Sequence, residues 1–487
     1  MAVIYKLLTA FLLFNMAYAT KSCGQDRRAR VIRSKEEAVE APKPQEALRI
    51  TDLQPCPSFR KGKKIVIKHN YDLRGKNLVL EESCTLDFQG GAFRNGIVTG
   101  NKTQLKSKTR AIFDNIRIRG TWDVENITTD MFGDLNYEQS LLDVLALTDA
   151  NVVNHVVIKD YGYVYPIRAT SVDMVDAPLK LNSNTDLQLD GRIQLKPTNL
   201  FQYVILLVNG CNNIKIHGNG AIIGDRTNHD YSIDDEHKAW KTHEWGHGLK
   251  IANSSNVEIC AISVNNCTGD SYNIGNVSHG ILLDGVIANG SRRQGVTIAV
   301  ASDVTIRNCC FKNIGSINGT NPGAAIDIEP DNTECEIKNI KIEGCEIRNC
   351  RQGIISWSKG YGNTWEEKIN GKRVLRRDGR HYINVDVSKC IIVGVEYAFS
   401  LFGWEKARIS KCEVSNSDYF SGYSDNTIFS DNIIDTDYFM KNGTIVKNSV
   451  IKGNTISVRK KTKIRLQNSN YGRNVLQKDS NLEVVNY

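Results

Sequence analysis

One short pattern recurs along the middle of the chain: a small residue, an apolar residue, a polar residue and a second apolar residue. The copies are Gly248-Leu249-Lys250-Ile251, Ser271-Tyr272-Asn273-Ile274, Gly295-Val296-Thr297-Ile298, Ala325-Ile326-Asp327-Ile328, Gly353-Ile354-Ile355-Ser356 and Ala398-Phe399-Ser400-Leu401. Apolar residues on alternate positions predict a short β-strand with one buried face. A strand this short cannot bury its apolar face alone, so copies separated by loops of unequal length predict the stacked turns of a solenoid.

The polar position of this pattern changes from turn to turn. Its occupants are Lys250, Asn273, Thr297, Asp327, Ile355 and Ser400. Because side chains alternate along a strand, these residues are predicted to point outward, with neighbouring turns about 4.8 Å apart. Residues that hold a scaffold tend to repeat, so a column that varies predicts a binding groove on this face.

Small residues recur at a second equivalent position, after a different set of strands. They are Cys309, Cys345, Cys390, Cys412, Asn432 and Asn454. One such residue per turn predicts an inward stack at a bend, because free cysteine is among the most buried residue types. Disulfides would normally be expected of an exported chain with 13 cysteines, but the spacing favours packed thiols.

The remaining segments define the predicted organisation. Residues 140–147 carry apolar side chains at helical spacing, and short strand-like segments between residues 65 and 122 predict either a small β-module or a first set of coils. The predicted regions are a signal peptide at 1–19, a flexible linker at 20–48, an N-terminal β region at 49–130, a β-solenoid at 131–460 and a C-terminal strand or tail at 461–487.

The first residues are typical of a secretory signal. Lys6 precedes an apolar segment at 7–14, and the small-residue triplet Ala17-Tyr18-Ala19 follows it. The apolar segment is too short to span a bilayer, and no later segment is long and apolar enough to do so. We therefore predict an exported protein, secreted or located at the cell surface or in the periplasm. Lipid anchoring at Cys23 is a second interpretation, against which Lys21 counts.

Charge narrows the class of partner. The net charge is +8, from 62 basic and 54 acidic residues, which is a mild bias that suits an anionic partner. An acidic polysaccharide fits this bias without the large basic excess of a nucleic-acid-binding protein. We predict a monomer that binds such a polysaccharide and no nucleic acid.

Several motifs resemble those of one superfamily. In chain order they are Phe132-Gly133, Gly246-His247-Gly248, Gly269-Asp270-Ser271, Arg292-Arg293-Gln294-Gly295 and Ile326-Asp327-Ile328-Glu329-Pro330. This order resembles pectate-lyase-like parallel β-helices over residues 130 to 460. The resemblance implies an all-β, single-stranded, right-handed parallel β-helix whose N-terminal helix caps the open end. Where the superfamily often has Gly-Asp-Gly or paired aspartates, this chain has Gly269-Asp270-Ser271, which counts against a polygalacturonase-like hydrolase.

The charged residues near the repeated pattern suit β-elimination in a uronate polymer. That reaction needs a cation for the uronate carboxylate, a base for the adjacent proton and an acid for the leaving oxygen. Arg292 and Arg293 suit the first task, since a guanidinium binds a carboxylate at two points. His247 and Lys250 are the candidate bases. We predict a polysaccharide lyase, and the resemblance and the charge favour a glycosaminoglycan substrate of the chondroitin, dermatan sulfate or hyaluronan type.

Other residues are candidates for binding the polymer. They are Asp270, Asn273, Gln294, Trp357, Lys359 and Tyr361. Two long insertions, at 225–245 and 357–382, are rich in aromatic and basic residues and are predicted to form groove walls. Aromatic rings stack on sugar faces, and arginine recognises carboxylate or sulfate.

The acidic residues leave alternatives open. Asp327 and Glu329 could bind Ca²⁺, or could act with Asp270 as the acid and base of a glycoside hydrolase. They could also form a salt-bridge ladder with Arg292 or Arg293. A non-catalytic glycan-binding or tailspike-like protein is a further alternative. The ring of Tyr272 is predicted to point inward into the core.

Overall fold

The repeated strands stack into a three-sided coil. The computed structural model describes residues 47–60, 63–107, 109–124, 127–133, 137–149, 153–168, 174, 176–232, 242–316, 318–329, 337–356, 364–369, 372–377, 382–401, 404–422 and 424–486. Within these residues, each strand of the coil pairs in parallel with the equivalent strand of the next turn. Parallel pairing between turns is possible because each turn is longer than a hairpin.

One side of the coil is a parallel sheet of 13 strands. In chain order these are Ile127–Thr128, His155–Ile158, Asp186–Leu189, Asn212–His217, Ser255–Cys260, Ser278–Asp284, Ala301–Arg307, Lys338–Glu343, Tyr382–Ser388, Trp404–Ser410, Thr427–Ser430, Val450–Lys452 and Asn470–Gly472.

The other two sides are parallel ladders that join into one sheet of 20 strands. The first ladder contains Tyr161–Val164, Arg192–Leu195, Ala221–Ile223, Ser263–Asn265, Ile287–Asn289, Cys310–Lys312, Glu346–Arg348, Ile391–Val393, Glu413–Ser421, Ile433–Tyr438, Thr455–Val458 and Val475–Leu476. The second ladder contains Leu179–Leu181, Gln202–Asn209, Trp245–Ala252, Tyr272–Gly275, Val296–Ile298, Ala324–Ile328, Gln352–Ser356 and Tyr397–Ser400. This second ladder carries the repeated pattern.

The N-terminal β region is also built by parallel pairing. Its strands are Leu48–Arg49, Ser58–Arg60, Lys64–Ile67, Asn70–Asp72, Asn77–Val79, Thr85–Phe88, Ala92–Ser107 and Phe113–Trp122. Apart from the antiparallel pair of Ser58–Arg60 with Lys64–Ile67, neighbouring strands run in the same direction. One apolar core extends from Ile50 to Leu466, so this region forms a first set of coils.

The predicted helix lies between the N-terminal coils and the main solenoid. It spans Tyr137–Asp149, and a short 3₁₀ helix, Thr129–Phe132, precedes it; a second 3₁₀ helix is Ile50–Asp52. Leu141, Val144 and Leu145 of the helix are buried in the core. Their spacing confirms the amphipathic pattern and places an apolar stripe against the end of the coil. None of the helices among the described residues is long and apolar enough to cross a bilayer.

Two further groups of strands lie outside the three sides. An antiparallel hairpin pairs Thr364–Ile369 with Lys372–Arg377, within the second predicted insertion. Near the C-terminus, Ile445–Lys447, Thr462–Gln467 and Leu482–Asn486 form a parallel sheet. The stacked turns therefore continue to the end of the described chain.

The stack of small residues at the bend is confirmed. Cys309, Cys345, Cys390, Cys412, Asn432 and Asn454 are all buried. The cysteines that the structure describes are all free thiols. In the asparagine part, the side-chain amide of Asn432 donates to Asn454 Oδ1 at 2.9 Å, and its own Oδ1 accepts from the backbone N–H of Cys412 at 2.9 Å. The stack therefore satisfies backbone groups that the turns leave unpaired.

Candidate functional site

The repeated pattern places its polar residues in register, as predicted. Lys250 pairs with Asn273, Asn273 with Thr297, and Thr297 with Asp327 along the second ladder. Ile355 and Ser400 continue the column. The expectation that these side chains are exposed is wrong, however, because Lys250, Asn273, Thr297, Asp327 and Ile355 are buried. Asp270 and Gln294, which precede two of the strands, provide hydrogen-bond partners for Asn273, Thr297 and Asp327.

Asp270 lies at the centre of this buried network. Its carboxylate is fully buried and accepts a hydrogen bond from the Asn273 amide at 3.0 Å and one from the Thr297 hydroxyl at 2.8 Å. Arg293 adds an ion pair at 3.4 Å. Gly269 places Asp270 close to the preceding turn, since a Cβ there would lie 2.6 Å from the carbonyl oxygen of Glu244. Three neighbouring turns thus hold one carboxylate in a fixed position.

Arg293 joins two carboxylates from the turns on either side of its own. One nitrogen of its guanidinium contacts Asp270, and the other donates to Glu329 Oε2 at 3.1 Å. Burial opposes its charge, but the carboxylates of Asp270 and Glu329 more than offset this and raise the pKa of Arg293. Glu329 is the more open partner, with 34% of its side chain exposed against 16% for Arg293. The salt-bridge alternative is therefore correct for Arg293 and Glu329.

Asp327 is held differently from the other two carboxyl groups. Only 1% of the residue is exposed, and the Gln294 amide donates to its Oδ2. Its Oδ1 has no hydrogen-bond partner among the described residues. Burial, with the nearby charge of Glu329, raises the pKa of Asp327 well above its usual range. Burial and a raised pKa thus distinguish Asp327 from Glu329, which is more exposed and is paired with Arg293.

His247 lies against Asp270 from the preceding turn. Its Nδ1 accepts a hydrogen bond from the backbone N–H of Asp270 at 3.1 Å. Burial lowers the pKa of His247 to about 4; Asp270 opposes this shift, while the charges of Lys250 and Arg293 add to it. The imidazole is therefore neutral at neutral pH, with its proton on Nε2 because Nδ1 is the acceptor.

Arg292, the second candidate for binding a substrate carboxylate, contacts the loop beside the site instead. Its Nε donates to the carbonyl oxygen of Asn318 at 2.9 Å, and its guanidinium also donates to the carbonyl oxygens of Thr242 and His243. The guanidinium lies 4.7 Å from the centre of the Tyr231 ring. Arg292 thus links two loops at the edge of the second ladder.

A buried polar cluster next to this loop was not predicted from the sequence. The carboxylate of Asp225 accepts a hydrogen bond from the Tyr203 hydroxyl at 2.5 Å and lies 2.8 Å from His229 Nδ1. The other ring nitrogen of His229, Nε2, lies 2.9 Å from His243 Nδ1. All four residues are buried. The only sequence signal was the spacing of Asp225 and His229 inside an insertion rich in histidine. The cluster anchors the start and the end of that insertion to the coil.

The structure describes most of the other residues that were singled out in the sequence, but not all of them. Tyr272 is fully buried and its hydroxyl donates to the carbonyl oxygen of Ile262 at 3.2 Å, which confirms the predicted core position. Trp357, Lys359 and Tyr361, predicted to bind substrate, lie outside the described residues. The remaining predicted site residues come from four successive turns of the second ladder and from the loops that precede and follow its strands. They are His247, Lys250, Asp270, Asn273, Arg293, Gln294, Asp327 and Glu329.

Comparison with known proteins defines the class of fold. The chain is similar to a hyperthermoactive exopolygalacturonase from Thermotoga maritima, with a TM-score of 0.50 and 11% identity over 72% of this chain and 92% of that one. With the parallel ladders described above, this similarity makes the protein a right-handed parallel β-helix. The predicted fold is thereby confirmed.

Sequence comparison finds two relatives of undescribed activity. The SPbeta prophage-derived uncharacterized protein YorA of Bacillus subtilis (strain 168) is 28% identical over 231 residues, which are 46% of this chain and 36% of that protein. The uncharacterized protein YclG of the same strain is 30% identical over 166 residues, 32% of this chain and 28% of that protein. The chain thus matches about a third of the length of these relatives. No protein-family model matches it.

Proposed function

We propose that this protein is a carbohydrate-active enzyme that hydrolyses glycosidic bonds of a polysaccharide, with Asp327 and Glu329 as its acid and base. The observation that carries the proposal is that two carboxyl groups at the end of one strand have different environments: Asp327 is buried with a raised pKa, whereas Glu329 is partly exposed and paired with Arg293. Glycoside hydrolysis uses two carboxyl groups whose protonation states differ. The Thermotoga maritima protein of the same fold is named as a polygalacturonase, which supports a glycan substrate.

Each carboxyl group has an environment that suits one role. Burial and the nearby Glu329 raise the pKa of Asp327, which suits proton donation to a leaving oxygen. Glu329 is accessible and fixed by Arg293 at 3.1 Å, so it suits activation of a water molecule or attack on the sugar. Asp270 keeps Arg293 in place. In this proposal Glu329 is paired with Arg293 and not with a calcium ion.

β-Elimination of an acidic polysaccharide is the second candidate function. The neutral His247 beside Lys250 favours it, since an uncharged imidazole at neutral pH can take part in proton transfer. Two contacts count against it. Arg293 is paired with Asp270 and Glu329, and Arg292 donates to backbone carbonyl oxygens. Neither arginine is thus presented to a uronate carboxylate without breaking an existing contact.

One assay separates these reactions. The purified protein is incubated with hyaluronan, chondroitin sulfate, alginate or polygalacturonate, and both new reducing ends and the ultraviolet absorbance of unsaturated uronate are followed. We expect reducing ends without the absorbance. Reducing ends with that absorbance would replace hydrolysis by β-elimination. Saturable binding with neither signal would reject both reactions and leave a glycan-binding protein.

Variants assign the reaction to the site. Glu329→Gln and Asp327→Asn keep the size of each side chain and remove its acid–base chemistry. Glu413→Gln is the matched control, because Glu413 is an exposed carboxylate on the first ladder. We expect both site variants to lose activity and the control to keep it, with unchanged thermal unfolding. Full activity in Glu329→Gln would reject the proposed role of that residue.

A further inference from the structure

A second cluster of polar side chains lies on the 13-stranded sheet, whereas the carboxyl network lies along the second ladder. It contains His155, Asp186 and His217, which come from three consecutive strands of that sheet. His155 and Asp186 are directly opposite each other in the parallel register, and His217 ends the next strand, Asn212–His217. None of the three was singled out by the sequence pattern.

The side-chain atoms of this cluster converge without hydrogen bonds. One nitrogen or oxygen of each residue lies within 4.8 Å of the others. His155 Nε2, Asp186 Oδ1 and His217 Nε2 are shielded from solvent and have no hydrogen-bond partner among the described residues. A shielded polar atom that lacks a partner costs free energy. Three such atoms at one place therefore need an explanation.

An ion pair explains only part of the cluster. His217 Nε2 and Asp186 Oδ1 lie 2.9 Å apart, so a protonated His217 would be attracted to Asp186. This pair does not involve His155, whose ring lies nearly parallel to that of His217 with the ring centres 6.3 Å apart. A second protonated imidazole there would be repelled by the first. A neutral His155 would keep its orphaned nitrogen.

A bound cation accounts for all three atoms at once. We propose that His155, Asp186 and His217 bind a divalent transition-metal ion of the zinc type. Two imidazole nitrogens and one carboxylate oxygen are ligands that such an ion prefers over calcium or magnesium. Bonds of about 2.1 Å in a tetrahedral site place ligand atoms about 3.4 Å apart. The observed separations, from 2.9 Å to at most 4.8 Å, bracket that value.

The position of the cluster suggests what the ion would do. Its three ligands belong to three consecutive turns at the N-terminal end of the main solenoid, next to the capping helix, which packs against the strand that begins at His155. An ion held there would link the turns across the outer face, where no apolar core connects them. Because it binds only when the turns are stacked, it would stabilise the folded state.

The test measures metal binding by the untagged full-length protein. The protein is stripped with a chelator and dialysed, and Zn²⁺ is titrated by calorimetry into the wild type and into His155→Gln, Asp186→Asn and His217→Gln. His279→Gln is the matched control, since His279 is an exposed histidine of the same sheet. We expect one equivalent of Zn²⁺ to bind the wild type and the control. Loss of a ligand should weaken its binding at least about tenfold, as even the loss of an outer-shell partner does.

Two readouts keep the result independent of folding defects. The melting temperature of each metal-free variant shows whether the coil is intact, and added Zn²⁺ should raise the melting temperature of the wild type and the control only. His155→Gln decides between the two explanations, because the ion pair of Asp186 and His217 does not need it. If His155→Gln bound Zn²⁺ with wild-type affinity, or the wild type bound none, the proposed site would be rejected.

Discussion

Two columns of side chains run along the same coil: one repeats the same residue type from turn to turn, and the other has a different residue on each turn. In the stack at the bend, cysteine is followed by cysteine and then asparagine by asparagine, and each asparagine bonds to the next: Asn432 to Asn454 at 2.9 Å and Asn454 to Asn474 at 2.9 Å. In the column of the second ladder, Lys250, Asn273, Thr297 and Asp327 are all different. Their partners come from other positions of neighbouring turns.

The difference reflects what each column has to satisfy. The bend recurs on every turn, so the same type of small side chain repeats within each half of the stack, cysteine first and asparagine after it. The varied column instead places an amide and a hydroxyl beside one carboxylate, Asp270, to which Arg293 adds a guanidinium. The residue types of the column differ because this environment is assembled once. Repetition thus indicates scaffold, and buried variation indicates a site.

The largest effect is expected at Glu329, which is partly exposed beside the varied column. Glu329→Gln should lower kcat by about 10²-fold or more, since acid–base groups contribute about 10² to 10⁴-fold. Cys390→Ser, in the repeated stack, should leave kcat unchanged. Steady-state rates on the polysaccharide that is cleaved in the end-group assay measure both. Equal losses in the two variants would contradict the separation of site from scaffold.

A second prediction concerns the contribution of His247 to the free energy of unfolding and its dependence on pH. Its folded-state pKa of about 4 lies below the ordinary 6.5. As the pH falls, this imidazole is therefore protonated at a higher pH in the unfolded state than in the folded state. The contribution of His247 to stability is complete above pH 6.5 and is lost as the pH falls to about 4. For a fully buried group this loss amounts to about 3 kcal/mol.

The measurement is urea unfolding of the wild type and His247→Asn across that range of pH. Asparagine offers an oxygen near the position of Nδ1 for the backbone N–H of Asp270. Asp327 acts with the opposite sign, because its raised pKa lets the folded state keep a proton that the unfolded state loses. The difference between the two proteins therefore isolates His247. A difference that does not change with pH would contradict a neutral, buried imidazole.

The sequence predicted the stacking better than it predicted the chemistry. The register of Lys250 with Asn273 and Thr297 follows from strand periodicity, which a single repeated pattern contains. The burial of these residues does not follow from strand periodicity, because it depends on side chains such as Asp270 and Gln294 that precede the strands. The cluster of His155, Asp186 and His217 was missed for a related reason. Its members belong to turns in which the repeated pattern is not present, so nothing in the sequence aligned them.

A third prediction tests the asparagine part of the stack. Asn432→Ala would leave the backbone N–H of Cys412 without a partner and would remove the side-chain donations to the carbonyl oxygen of Ile409 and to Asn454 Oδ1, which keeps the hydrogen bond from the backbone N–H of residue 432. We expect a loss of about 2 kcal/mol in the free energy of unfolding, since unsatisfied buried groups cost about 1 to 3 kcal/mol. Asn432→Cys is the informative comparison, because it restores volume and not the amide. A cysteine variant as stable as the wild type would mean that packing alone holds the stack.

The smallest effect is expected in the cysteine part. Cys390 is buried, and its thiol contacts the carbonyl oxygen of Ser388 at 3.4 Å, a weak hydrogen bond. Cys390→Ala removes one sulfur from the core and should cost about 1 kcal/mol, comparable to the loss of a methyl group. Chemical denaturation measures this loss. Alkylation mapped by mass spectrometry adds a second readout: Cys56, which is exposed, should react in the folded protein, and Cys390 only after unfolding. If Cys390→Ala were as destabilising as Asn432→Ala, the two halves of the stack would share one mechanism, and the contrast between weak thiol packing and amide bonding would be lost.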